Sequence, residues 1–169
     1  MTTGGESLVD RMRGAALLDV QTYEAVEADE NATGQAAIVV VIVAACKAIG
    51  ASGIGFFGAG LAALISLGAW LVWAGITYVV GDKVFGGTAT WGEVLRTTGF
   101  AQAPGILFLF GFLPLVGGMT TLVASIWILV AGFIALRQAL DIGNGQTLLT
   151  VLIGGLIYGV LQNLPLTPF

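Results

Sequence analysis

Residues 36–53, AAIVVVIVAACKAIGASG, decide the fold class. Eighteen residues at about 1.5 Å rise each are just long enough to cross about 30 Å of hydrocarbon as a helix. Lys47 stands towards the far end of this run, where a flexible stem carries the ammonium to the interface. Cys46, beside it, reads as a small buried hydrophobe. The run is retained as an anchor: the N-terminus opens polar and acidic and has none of the features of a cleavable signal. Gly50, Ser52, Gly53 and Gly55 then give a tight turn.

The same kind of stretch recurs along the chain. A second span covers about Phe57–Val80 without a charge and ends among Trp70, Trp73 and Tyr78, amphipathic rings that favour the headgroup level. A third runs over about Phe100–Val116, with Pro104 in its first turns and Pro114 near its end. Proline is tolerated in membrane helices where neighbours satisfy the freed carbonyls. The fourth covers about Thr120–Leu140 and the fifth about Thr147–Leu164, stopping at Pro165 and Pro168. The expectation is an all-α integral membrane protein, a five-helix transmembrane bundle over 36–169, with four or six helices as alternatives.

Composition agrees. The 169 residues are 57% hydrophobic and 9% charged, against about 25% charged in soluble domains. A net charge of −4 argues against nucleic acid as a partner, because phosphate contacts need clustered Lys and Arg. His is absent and Cys46 is the one cysteine. Disulfides within the chain, the usual zinc sets and the Ser-His-Asp triad are therefore excluded. The glycine-rich stretch 50–60 lacks the Lys-Ser/Thr of a phosphate loop. Neither catalytic residues, nor a metal set, nor a cofactor site is expected, so the protein reads as a non-enzyme.

Residues 1–35 form a polar, acidic N-terminal segment holding seven of the ten acidic residues, among them Asp19, Glu24, Glu27 and Asp29. Ser7-Leu8-Val9-Asp10 has the form of a helix-opening capping box. Leu8, Met12 and Ala15 follow at helical spacing, which is compatible with a short amphipathic helix on the membrane surface or with a partly disordered, solvated tail.

Orientation follows from Lys and Arg. With five spans, Arg11, Arg13, Lys83, Arg96 and Arg137 share one side and Lys47 stands alone on the other, so the N-terminus is expected in the cytoplasm and the C-terminus outside. Between the second and third spans, Thr90 is placed to cap a short helix carrying Glu93 and Arg96 on one face. Arg137 and Asp141 stand i, i+4 at the end of the fourth span. These four charges read either as interface pairs that close the cytoplasmic face or as a proton- or ion-handling cluster. No Asp, Glu or Arg interrupts the middle of any span. Helix association must come from small residues: Ala131 and Ala135 on the fourth span and the GxxxG pair Gly155 and Gly159 on the fifth.

Several ordered segments resemble the Yip1-domain family of small multi-span membrane proteins, in its bacterial form. They are Phe85-Gly86-Gly87, Trp91-Gly92-Glu93-Val94-Leu95-Arg96 and Gly99-Phe100-Ala101-Gln102-Ala103-Pro104, with Phe100 where Tyr is usual. Ile126-Trp127, the stretch Ala135–Asp141, and Leu17-Leu18-Asp19 with Tyr23 extend the likeness. The resemblance implies five helices with a cytoplasmic N-terminus. Eukaryotic members act in early secretory traffic, bind Rab-type GTPases and one another, and help shape membranes. Their N-terminal Asp-Leu-Tyr-Gly-Pro element is missing here, so the resemblance is a weak ground for small-GTPase binding and a better one for a prokaryotic plasma-membrane protein.

The function expected is an interaction scaffold or accessory subunit that packs against a membrane-protein partner. Its contacts are placed at Glu93, Arg96, Gly99, Phe100, Pro104, Arg137 and Asp141. A small-solute or ion transporter or channel is the alternative, and a self-associating membrane-shaping protein the third reading.

Overall fold

The computed structural model describes residues 7–51 and 56–163, with side chains described for 60–157 of the second stretch. Among these there is no strand, and the chain is a bundle of helices. α1 (Leu8–Ala16) and α2 (Val20–Ala28) precede α3 (Ala32–Gly50). α4 (Phe56–Tyr78) runs on into a π-helical stretch, Val79–Val84. α5 (Trp91–Phe100) is followed by a 3₁₀ segment, Ala103–Phe112, and then by α6 (Gly117–Leu140) and α7 (Asn144–Asn163). The turn expected at 50–55, the end of the first span and the C-terminal prolines fall mostly or wholly outside the described residues.

Three of these helices, Ala32–Gly50, Gly60–Val84 and Gly117–Leu140, are long and apolar enough to cross a membrane, and Asn144–Ile157 is a shorter apolar helix. Their outward faces are apolar: Leu64, Ile65, Leu122, Leu129, Leu152 and Leu156 are all exposed. In water that would be a liability; in a bilayer it is the surface that meets lipid.

The expected third span is not one α-helix. Proline at position i removes an N–H and its ring crowds the carbonyl of residue i−4. For Pro104 that residue is Phe100, and α5 ends at Phe100. The chain then tightens into the 3₁₀ segment, with Pro104 in its first turn. This segment packs closely on α3: a Cβ at Gly50 would stand 1.8 Å from the Phe108 carbonyl oxygen, so only glycine lets the two backbones approach.

Of the two expectations for the N-terminal segment, the short amphipathic helix is present as α1, with Met12 and Ala15 buried, and a second helix, α2, packs against it. The Ser7 hydroxyl accepts from the Asp10 N–H at 3.2 Å, and the Asp19 carboxylate accepts from the Thr22 N–H at 3.2 Å, so each helix has its N-cap. Leu18 turns the chain between them at φ 62. Met12, Ala15, Tyr23 and Val26 enter the buried core with Ala36, Val39 and Phe100. The Tyr23 hydroxyl donates to the Ala15 oxygen at 3.0 Å, tying α2 to α1. Arg11, buried, joins three elements: it pairs with Asp29 at 2.6 Å and donates to the Gln35 side chain at 3.0 Å. The Arg11 hydrogen bond holds the Asp29 carboxyl below its ordinary range.

Candidate functional site

The segment between α4 and α5 closes one end of the bundle by satisfying helix C-termini. The last four carbonyls of a helix have no partner within it and carry the negative end of its dipole. At the end of α6, the Leu140 oxygen accepts from the Thr88 N–H at 3.2 Å. Gly86, at φ 74, makes the turn that brings Thr88 there, and a Cβ on Gly87 would stand 2.9 Å from the same oxygen. At the end of α2, Arg96 does the equivalent work with a side chain. Its Nε donates to the Val26 oxygen at 3.2 Å and to the Glu27 oxygen at 3.1 Å, and Nη2 also donates to Glu27. Arg96 is 6% exposed, so these bonds are made out of water.

Glu93 is placed by a capping box. Its N–H donates to the Thr90 hydroxyl at 3.3 Å, and its carboxylate accepts from the Thr90 N–H at 2.7 Å. The Glu93–Arg96 pair expected at i, i+3 is therefore not an ion pair: one residue caps α5 and the other caps α2. Nor do Arg137 and Asp141 pair. Arg137 is exposed, and Asp141 leaves α6 in the left-handed region at φ 51, where it accepts from the Thr88 hydroxyl at 3.3 Å.

These placements leave a crevice of about 440 Å³ between α2, α5 and the end of α6, lined by Glu24, Glu27, Glu93, Gln138 and Asp141. Four carboxylates from three elements face one space. None of the four makes an ion pair among the described residues. No three His, Cys, Asp or Glu side chains among the described residues form a group that could hold a metal ion. The Glu27 carboxyl is pushed up to about 7, first by burial and then by the charges of Glu93 and Asp141, with Arg96 pulling the other way.

Of the residues picked from sequence, the structure brings Glu93 and Asp141 together in the crevice and puts Arg96 behind its wall. Gly99, Phe100 and Pro104 are buried packing positions. A Cβ at Gly99 would stand 2.7 Å from the Ala36 Cβ and 3.1 Å from the Trp70 ring. Arg137 joins none of them. Ala131 and Ala135 are fully buried, so that pair packs within the chain. On α7 the close approach is made by Gly154, whose Cβ would stand 3.1 Å from the Thr77 methyl, while Gly155 is exposed beside Trp73. The surroundings of Gly159 lie outside the described side chains. Glu24 and Glu27 are not among the residues picked from sequence, because residues 1–35 read as a polar acidic segment outside the bundle, either a surface helix or a solvated tail. Tyr23 and Val26, apolar at i, i+3 among acidic residues, were the available signal.

The family model described as the Yip1 domain matches residues 19–162, from the N-cap of α2 to the end of α7. No curated protein and no solved structure matches the chain.

Proposed function

The chain belongs to the Yip1 domain family, and from that premise we propose that this multi-pass membrane protein is a non-enzymatic interaction scaffold or accessory subunit. Its partner is a membrane protein that offers a basic segment to the crevice between α2, α5 and α6. The observation that carries the reading is the set of carboxylates of Glu24, Glu27, Glu93 and Asp141, gathered from three elements and without an ion pair among the described residues. Unlike rim charges, carboxylates sharing a partly closed crevice repel one another, and an incoming Lys or Arg relieves that repulsion.

In this proposal the chain crosses the membrane five times, with the crevice and the N-terminus on the cytoplasmic side of a prokaryotic plasma membrane. The third crossing is made by α5 and the 3₁₀ segment together, which span about 15 Å and about 20 Å at their respective rises. Lys and Arg support the orientation: Arg11, Arg13, Lys83, Arg96 and Arg137 fall on the crevice side, and Lys47 on the other.

The test is recovery of the tagged protein from its own membranes in gentle detergent, compared with a Glu24→Lys, Glu27→Lys double variant. A stoichiometric membrane partner that is retained by the wild type and lost from a double variant of unchanged melting supports the crevice as its site. Equal recovery by both proteins removes the crevice from the reading, and recovery of the chain alone removes the scaffold role.

A further inference from the structure

A second cavity, of about 650 Å³, lies within the bundle among α3, α4, α6, α7, the end of α5 and the middle of the 3₁₀ segment. Sites for small ligands run from about 300 to 1,000 Å³ and are mostly apolar with a few placed polar groups. This one has that character: Val40, Val43 and Ile128 line its body, and Lys47 is the one charged residue among the described residues that line it. Val40 and Lys47 stand two turns apart on α3, so the lining follows the helix for about 10 Å. The Lys47 ammonium is 5.7 Å from the centre of the Phe108 ring and has no carboxylate partner among the described residues.

The mouth of the cavity says what can enter it. Leu129 and Leu152 both line it, and they are 60% and 58% exposed. They sit in the middle turns of α6 and α7, helices whose outward faces are apolar. A cavity that opens between the midsections of two such helices opens to hydrocarbon, where the entering molecules are lipid chains. Lys47 stands in the last turn of α3, at the interface level, where a lipid keeps its headgroup. An ammonium is a compact point charge well suited to phosphate, and the Lys47 ammonium stands beside the Phe108 ring with no ion pair to a carboxylate among the described residues.

We propose that this cavity holds one acyl chain of an anionic phospholipid, with the headgroup phosphate on the Lys47 ammonium. The lipid then belongs to the bundle in place of side chains, filling space that the small residues Ala44, Ala69 and Gly132 leave open.

Trp70 and Trp73 line the cavity and report on it directly. In a Trp91→Phe, Trp127→Phe background they are the remaining tryptophans, and quenching by lipids brominated on the acyl chain measures their contact. The protein is reconstituted in phosphatidylcholine vesicles titrated with brominated phosphatidylglycerol or with brominated phosphatidylcholine. The anionic lipid is expected to reach half-maximal quenching at about fivefold lower mole fraction, the effect of one Lys facing an anionic lipid. Lys47→Gln is expected to abolish that difference and Lys47→Arg to keep it. Gly132→Leu, placed where a new Cβ meets nothing within 4 Å, is expected to lower quenching by both lipids while leaving melting in detergent intact. Equal midpoints for the two lipids in the wild type overturn the proposal, as does a preference that survives Lys47→Gln. Full quenching in Gly132→Leu shows lipid touching the tryptophans from outside only, and overturns the cavity as the site. Should Lys47→Gln fail to fold, the wild-type comparison and Gly132→Leu decide the matter.

Discussion

Arg96 and Glu27, 69 positions apart, meet through the guanidinium Nε and the Glu27 backbone oxygen at 3.1 Å, not through the Glu27 carboxylate. The distinction shapes the whole end of the bundle. A guanidinium spent on the last carbonyls of α2 locks the N-terminal helices onto α5. It also leaves the Glu27 side chain facing Glu93 and Asp141 without an ion pair among the described residues. The acidic crevice is thus a consequence of how α2 is capped.

Removing that cap is expected to release α2. Arg96→Ala leaves two buried carbonyls without their charged donor, which costs about 3 kcal/mol by the usual worth of such bonds. Arg96→Lys is expected to recover less than half, because an ammonium cannot fork between the Val26 and Glu27 oxygens as Nε and Nη2 do. Thermal melts in detergent give the energies. Limited proteolysis between α2 and α3 gives the local effect, and cleavage no faster than in the wild type would show that Arg96 does not hold α2.

Stability is expected to fall as pH rises from about 4.5 to about 7. The Glu27 carboxyl has its folded pKa raised from 4.5 to about 7. Over that window the folded protein binds more protons than the unfolded chain, so folding is favoured most below the unfolded value and loses that advantage as pH passes the folded one. Asp19 and Asp29 are shifted downward; their contribution is lost only as pH falls below the ordinary carboxylate range, outside the window. Melting at pH 5 is therefore expected to exceed melting at pH 8. Glu27→Gln is expected to flatten the profile and raise the pH 8 value. A wild-type profile already flat between these values, or one unchanged by Glu27→Gln, contradicts the arrangement.

What could be read from the sequence was what is local. The Ser7 and Thr90 caps involve partners three residues away, and the apolar runs of α3, α4 and α6 announce themselves by hydropathy. The stretch 100–116 is as apolar as any span, and hydropathy alone does not separate an α-helix from the 3₁₀ segment that Pro104 imposes. The roles of Arg96 and Thr88 were not legible, because their acceptors are backbone oxygens, and every residue has one. Charge spacing suggested Glu93–Arg96 and Arg137–Asp141 pairs. Neither formed, because capping α5 and α2 engaged Glu93 and Arg96, and Asp141 leaves the helix in the left-handed region.

Glycine substitutions are expected to separate packing positions from permissive ones. At Gly99 a Cβ meets the Ala36 Cβ at 2.7 Å and Trp70 at 3.1 Å, so Gly99→Val overpacks a buried contact and is expected to cost about 2–3 kcal/mol. At Gly68, in the middle of α4, a Cβ meets nothing within 4 Å, and Gly68→Ala is expected to gain up to about 1 kcal/mol from helix propensity. Side-by-side melts check both signs. A Gly99→Val protein as stable as the wild type would mean that α5 and α3 are not in contact there.

Asp141 combines two effects that a pair of substitutions pulls apart. Its φ of 51 is a conformation that costs an L-residue about 1 kcal/mol or more and glycine almost nothing. Its carboxylate is one of the charges raising the Glu27 pKa. Asp141→Gly removes both the strain and the charge, losing only an exposed 3.3 Å hydrogen bond from Thr88. It is expected to melt at or slightly above the wild type and to show a shallower decline between pH 5 and pH 8. Asp141→Val also removes the charge but adds a β-branched side chain at a left-handed position, so it is expected to lose about 1–2 kcal/mol while showing the same shallower decline. The two variants should therefore differ in melting and agree in pH profile. Agreement in melting would place the residue outside the left-handed region, and a full wild-type pH slope in both would remove Asp141 from the electrostatics of the crevice.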